Sequence, residues 1–166
     1  MKFEIIQDPD QAIYVLRNAG KWLLKTGKNP SKWWRLENLN KEFLYKFVKP
    51  EELYVGLIDK NPAVAAVLQI EQNAQDWQAI DKSKNIPSLY IHWLAVHRNF
   101  AGTGLPAKMV SYANTFAKKR GISFLRADTN ANITKLRRVY ENLGFKCVNV
   151  LQESYRNTAF YQKEVN

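Results

Sequence analysis

Leu89-Tyr90-Ile91-His92-Trp93-Leu94-Ala95-Val96, continuing through His97-Arg98-Asn99-Phe100 into Ala101-Gly102-Thr103-Gly104-Leu105-Pro106-Ala107, is the stretch on which the fold turns. Its first eight residues are apolar and rich in strand formers. The segment after the glycines is amphipathic and ends at Lys118-Lys119-Arg120-Gly121. The pattern predicts a strand, a short loop with two glycines, and a helix of roughly 16 residues. A strand that opens through glycines into a helix N-terminus gathers free backbone N–H groups at the positive end of the helix dipole. A phosphate-bearing ligand is therefore the first thing to expect there.

Downstream, Ile122–Asp128 reads as a second strand. The two strands and their helix then form a parallel pair with a right-handed crossover. A helix from about Asn132 to Leu143, stopped by Gly144, precedes two more strands, Lys146–Leu151 and Ala159–Glu164. Upstream, Phe3–Ile6 is a short strand. Asp8-Pro9-Asp10-Gln11 opens a helix with Asp8 as N-cap and Gln11 as capping-box partner, and Ala12, Leu16, Ala19 and Leu23 mark its buried face. A second helix is predicted from Pro30-Ser31 through Trp33, Leu36, Asn40, Phe43 and Phe47 to Pro50. Leu53–Ile58 and Ala63–Ile70, joined by Asp59-Lys60-Asn61-Pro62, read as a hairpin. The polar segment from Gln72 to Pro87 reads as a loop with room for a turn of helix. The expectation is one α/β (α+β) domain over residues 1–166, with a mixed sheet of six or seven strands flanked by about four helices.

Composition narrows the classes. At 166 residues and 46% hydrophobic, the chain can bury a sizeable core and is too apolar for disorder. No apolar run approaches the roughly 20 residues that span a bilayer. Met1-Lys2-Phe3-Glu4 does not read as a secretory leader. The single cysteine, Cys147, excludes an internal disulfide framework. No Cys/His cluster has zinc spacing, so no metal is expected. A cytoplasmic protein without membrane attachment follows from these features. Cys147 itself reads as a small buried hydrophobe with no base beside it. The net charge of +10 suits a polyanionic partner, either nucleic acid or a cofactor carrying several phosphates. The basic residues are scattered, and the clustered aromatics and cations of single-strand binders are missing, so nucleic acid is not expected.

Gly102-x-Gly104 satisfies neither the dinucleotide nor the P-loop pattern, which sets nucleotide hydrolysis aside. The combination says more. Leu94-Ala95-Val96-His97-Arg98-Asn99-Phe100-Ala101-Gly102-Thr103-Gly104 is followed about thirty-five residues on by Leu136-Arg137-Arg138-Val139-Tyr140-Glu141-Asn142-Leu143-Gly144-Phe145. Together they resemble the GNAT superfamily of acetyl-CoA-dependent N-acetyltransferases. The element order along nearly the whole chain fits the same family. The resemblance implies a splayed fourth and fifth strand with the pantetheine arm between them, bonded by Leu94, Ala95 and Val96. It implies a pyrophosphate held by the amides of Ala101, Gly102, Thr103, Gly104, Leu105 and Ala107, with Asn132 and Tyr140 also at the cofactor. The chain departs from the family's Gln/Arg-x-x-Gly-x-Gly/Ala pattern at Ala101 and at Pro106. The proline removes one phosphate donor, and Arg98 is the nearby candidate to replace the charge.

Transfer to an amine expels a thiolate, and a neutral phenol can protonate it at neutral pH. Leu136, Val139, Tyr140 and Leu143 share a helical face, so the residues alone read Tyr140 first as a core aromatic, and the resemblance makes it the candidate acid. Tyr90 and His92 alternate onto one face of their strand. The segment Tyr90–Arg98 resembles the arylalkylamine N-acetyltransferase branch, which has histidines at both positions, so only His92 carries over as candidate base. By resemblance the acceptor, a small-molecule or peptide amine, lies near Trp33, Trp34, Glu37, Tyr155 and Arg156, in a monomer or homodimer. The expected function is acetyl transfer from acetyl-CoA to a primary amine by direct attack in a ternary complex. The alternative is a weakly active or inactive module of the same fold that binds acyl-CoA or nucleic acid.

Overall fold

Asp8 begins the first helix as its sequence requires. In the computed structural model, which describes residues 1–27, 30–70, 74–82, 84, 86–154 and 156–166, its carboxylate accepts from the Gln11 amide at 3.1 Å and from Gln11 Nε2 at 2.9 Å. These bonds hold its pKa below the ordinary carboxylate value. Among the described residues the strands are β1 (Phe3–Gln7), β2 (Leu53–Ile58), β3 (Asn61–Gln69), β4 (Ser88–Val96), β5 (Phe124–Asn130), β6 (Lys146–Gln152) and β7 (Asn157–Glu164). The helices are α1 (Pro9–Lys25), α2 (Lys41–Leu44), α3 (Ala74–Asp81), α4 (Leu105–Lys119) and α5 (Thr134–Asn142). The strands form a mixed sheet in the order β1-β2-β3-β4-β5-β7-β6. No described helix is long and apolar enough to cross a membrane.

The chain divides into two compact units. One comprises Met1–Leu68 with Trp93–Met109, the other Gln69–His92 with Val110–Asn166. In the first, β1 and β2 pair antiparallel from Phe3 opposite Ile58 to Gln7 opposite Tyr54. β2 and β3 form the expected hairpin, turning through Asp59 and Lys60, both at positive φ. The paired-strand core of Val55, Leu57, Ala65 and Val67 packs with Ala12, Val15 and Leu16 of α1 and with Leu39 and Leu44. The second predicted helix does not form as one piece. Short 3-10 turns at Lys32–Trp34 and Leu36–Asn38 are separated by an extended Arg35, and only Lys41–Leu44 is α-helical. The Arg17 guanidinium takes the Leu36 and Leu39 carbonyls at 3.3 and 3.2 Å, acceptors that a continuing helix would need. Asn40 then restarts the helix by accepting from the Phe43 amide at 2.9 Å.

In the second unit, β4 and β5 run parallel, with Ser88, Leu89 and Tyr90 opposite Phe124, Leu125 and Arg126. β7 lies antiparallel to both β5 and β6. The segment read as a loop contains the helix α3. Its Trp77 is buried against Tyr90 and Phe160, and Asp81 at its end forms a two-pronged pair with Arg126 at 2.7 and 2.9 Å. Gln72 lies outside the described residues. Cys147 is exposed, contrary to expectation. It lies on the edge strand β6, at an irregularity of pairing between Cys147 and Asn149, and donates its S–H to the Asn149 carbonyl at 3.5 Å.

Candidate active site

The stretch read as an anion site is set up by His97. Its amide bonds the Ala63 carbonyl at 2.8 Å, and its buried ring stacks on Tyr14 with centroids 5.5 Å apart. Desolvation holds its pKa below the ordinary imidazole value, and Nδ1 accepts from the Asn99 amide at 3.2 Å. A 3-10 turn at Arg98–Phe100 follows. The Thr103 hydroxyl then ties back to the Phe100 carbonyl at 2.5 Å. Gly102 and Gly104 both have φ of +78°, the left-handed region that side chains resist. A Cβ built on either glycine meets nothing within 4 Å, so the loop faces open space. α4 starts at once, with the Lys108 amide on the Gly104 carbonyl at 3.4 Å. Among the described residues no acceptor is found for the amides of Gly102, Thr103, Gly104, Leu105 and Ala107, while the Ala101 amide is spent on the Arg98 carbonyl at 3.3 Å. Buried Leu105 anchors this row of donors. Pro106 supplies none. Arg98 does not turn to the loop: its guanidinium lies 3.9 Å from the Trp22 ring centroid.

Just upstream, β4 breaks its regular geometry at Trp93, whose φ is +48°. Ala95 is buried in the core, and Leu94 and Val96 are half-buried. Trp93 Nε1 donates to the Trp33 carbonyl at 2.8 Å, and the two rings meet edge-on at 5.9 Å. The two neighbouring tryptophans thus part company, because Trp34 packs against the hydrophobic core while Trp33 joins Phe43, Phe47 and Trp93. Glu37 is exposed on its 3-10 turn.

In the other unit, Tyr140 is half-buried, stacked on Tyr161 at 5.7 Å and edge-on to Phe145 at the same distance. Its hydroxyl has no hydrogen-bond partner among the described residues. Burial, then the negative charge of Asp128, pushes the phenol pKa well above its ordinary value, against the opposing pull of Arg156. Arg156 is itself ion-paired with Asp128. The Tyr161 hydroxyl accepts from Arg137 Nε at 3.0 Å and donates to Glu141 at 3.2 Å, which fixes the ring beneath Tyr140. The face expected to bury Leu136 and Val139 does not. Both are exposed, and α5 carries no buried residue.

His92 is half-buried on β4, two residues beyond Tyr90. Tyr90 is buried, and its hydroxyl accepts from Arg126 at 3.2 Å, so it belongs to the support of α3. Asn132 is exposed in the turn before α5, where its side-chain oxygen accepts from Asn157 at 3.4 Å. Tyr155 lies outside the described residues.

The family model of the acetyltransferase (GNAT) family matches residues 18–145. The chain belongs to that family. This GNAT acyltransferase is 25% identical, over 97% of its length and 87% of the relative's, to the uncharacterized N-acetyltransferase YesJ of Bacillus subtilis strain 168. Among solved structures it is similar to a GNAT-family acetyltransferase from Streptococcus agalactiae, at TM-score 0.75 and 19% identity over 98% and 95% of the two chains. It is also similar to the PaiA N-acetyltransferase from Thermoplasma acidophilum solved in complex with coenzyme A, at TM-score 0.71 and 18% identity over 99% of each. These likenesses establish the fold, and the family is one that uses acetyl-CoA. Within this GNAT enzyme the glycine loop and Tyr140 fall inside the matched stretch, whereas Arg156 and Tyr161 lie beyond it. Neither Tyr161 nor the Asp128–Arg156 pair carries a local sequence signal. Both reach Tyr140 only through strand pairing.

Proposed function

We propose that the protein transfers an acetyl group from acetyl-CoA to a primary amine by direct attack in a ternary complex. The row of free amides from Gly102 to Ala107 carries this reading. They are donors without acceptors, on a loop facing open space, at the start of a fifteen-residue helix. That donor set fits a pyrophosphate. Leu94, Ala95 and Val96 would pair with the pantetheine arm through their backbone, and it supports this that β4 runs on to Val96 after its last pairing with β5 at Tyr90. When bound, acetyl-CoA supplies an acetyl carbon to which the amine nitrogen bonds as the C–S bond breaks and the thiolate takes up a proton.

Tyr140 is proposed as the source of that proton. Its raised pKa keeps the phenol protonated through the neutral range, and its hydroxyl has no other bond to surrender. Tyr161 and Phe145 hold the ring. His92 is proposed to take the proton from the ammonium group, directly or through water. Asn132 is proposed to contact the cofactor. Calorimetry with acetyl-CoA tests the reading directly, and failure to bind at millimolar concentration refutes it.

Arg98 stacked on Trp22, together with the N–H lost at Pro106, favours a looser phosphate grip than the family pattern gives. A second reading follows, a GNAT-fold module with little turnover that holds acyl-CoA or nucleic acid. Steeply salt-dependent binding to RNA or DNA, with no acetylation across a broad amine panel, would put it first.

A further inference from the structure

Followed back from the glycine loop, the backbone assigned to the cofactor arm reads Val96, Ala95, Leu94. Trp93 is the next side chain, the first past the stretch given to the arm. Trp93 does not stand alone. Its ring meets Trp33 at 5.9 Å, and Trp33 meets Phe47 at 4.9 Å and Phe43 at 6.1 Å. None of these four rings is buried, and Phe47 is 47% exposed. Phe43 and Trp93, like neighbouring Trp34, pack against the core, and Trp33 with the exposed Phe47 carries the cluster out to the surface. The rings are also fixed in place, because Trp93 Nε1 is bonded to the Trp33 backbone.

Two ammonium groups lie against this cluster. Lys32 Nζ lies 4.7 Å from the Trp33 ring centroid and Lys46 Nζ lies 5.8 Å from that of Phe43. Among the described residues neither Lys32 nor Lys46 forms an ion pair with a carboxylate. A polycationic acceptor would meet repulsion here, whereas an aromatic body bearing a carboxylate meets rings and ammonium groups together.

We infer that the acceptor is a primary amine carried on an aromatic body with a carboxylate, of the aromatic amino-acid type. It rests on Trp33, Phe47 and Trp93 with its carboxylate toward Lys32 and Lys46. This rests on the cofactor reading above, so acetyl-CoA is titrated first on the same sample. Without acetyl-CoA binding, that reading fails and this one with it. With acetyl-CoA bound, the two are separated by calorimetry of the CoA-loaded protein with L-phenylalanine, phenethylamine, L-alanine and spermidine, and by kcat/KM for each. L-Phenylalanine is expected to lead, with L-alanine and phenethylamine each about tenfold weaker and spermidine weakest. The double variant Lys32→Glu, Lys46→Glu, both exposed positions, is expected to weaken L-phenylalanine roughly fivefold and to strengthen phenethylamine, leaving acetyl-CoA affinity in place. Trp33→Leu keeps the carbonyl that holds Trp93 and is expected to lose the ring preference. Acetyl-CoA binding combined with spermidine or L-alanine at or above the level of L-phenylalanine would overturn the inference. So would a double variant with unaltered preferences.

Discussion

Replacing Gly104 with alanine separates what the glycine loop does for the backbone from what it does for a ligand. The φ of +78° puts an alanine there in the left-handed region, while its Cβ would meet no atom within 4 Å. The cost is therefore conformational with no steric part, about 1–2 kcal/mol. Gly121 is the internal control. Its φ is +67°, its Cβ is equally uncrowded, and it follows α4 at the opposite end from the loop. Gly104→Ala and Gly121→Ala should each lower the melting temperature by about 2–8 °C. Only the first should touch the ligand. Relief of strain at residue 104 swings the flanking peptide planes, and loss of one charge-assisted bond from an amide costs about 1.5–3 kcal/mol. Calorimetry should then show acetyl-CoA binding about tenfold to a hundredfold weaker in Gly104→Ala and unchanged in Gly121→Ala. If the two variants lose equal stability and Gly104→Ala binds acetyl-CoA within twofold of the parent, the free amides are not the phosphate cradle and the central argument fails.

Tyr140→Phe keeps both ring contacts and removes a hydroxyl that has no partner among the described residues, so its melting temperature should hold while kcat falls by about a hundredfold or more. Equal turnover would reduce Tyr140 to a packing residue. The donor role of that phenol is present below its pKa and lost as pH rises through it, and burial has raised the pKa above the ordinary value of about 10. The pH profile of kcat should accordingly show no falling limb below about pH 10, and a fall near neutrality would exclude Tyr140 as the acid. Arg98→Ala should leave acetyl-CoA affinity within about threefold, because the guanidinium is seated on Trp22; a larger loss measured by calorimetry would return Arg98 to the phosphates. Arg126→Met breaks a buried pair and strips Asp81 and Tyr90 of their partner, at a cost of roughly 3 kcal/mol in urea unfolding, since Asp81 keeps some solvent. A loss below about 1 kcal/mol would show that α3 is held by Trp77 alone.

The elements legible in the sequence are those written by neighbours a few residues apart. Asp8-Pro9-Asp10-Gln11 specifies its own cap, Asp59-Lys60 its own turn, and the apolar run of β4 its own strand. The segment from Pro30 to Phe47 misled because its helical spacing is overruled from a distance. Arg17, on another helix, takes the Leu36 and Leu39 carbonyls. α3 was hidden for the complementary reason. Its local sequence is polar, and the contacts described for it come through Trp77 and through Asp81's pairing with Arg126 on β5, some forty-five positions on. The exposure of Cys147 and of Val139 likewise depends on which strand ends at the sheet edge and on what fails to cover α5, and no local pattern records either.

The same division runs through the candidate site. The proposed recognition of a phosphate chain rests on backbone amides, which need only two glycines at positive φ, a helix start and a strand leading in, all contiguous between Leu94 and Ala107. That is why the proposed anion site could be read from residues, and among the described residues its amides have no acceptor. The proposed recognition of an acceptor rests on side chains, and the aromatic cluster draws Trp33, Phe43 and Phe47 from one segment and Trp93 from β4. In the sequence, Trp33 and Trp34 are indistinguishable. The structure sends one to the core and leaves the other beside Trp93, where Lys32 stands over its ring. On the proposed reading, the grip on the cofactor is carried by a local, backbone-written motif. On the same reading, the choice of amine would be carried by a tertiary arrangement whose residues can change without disturbing that motif. On this argument, substitutions at Trp33, Phe47, Lys32 and Lys46 should shift which amine is acetylated while the affinity for acetyl-CoA stays where the glycine loop sets it.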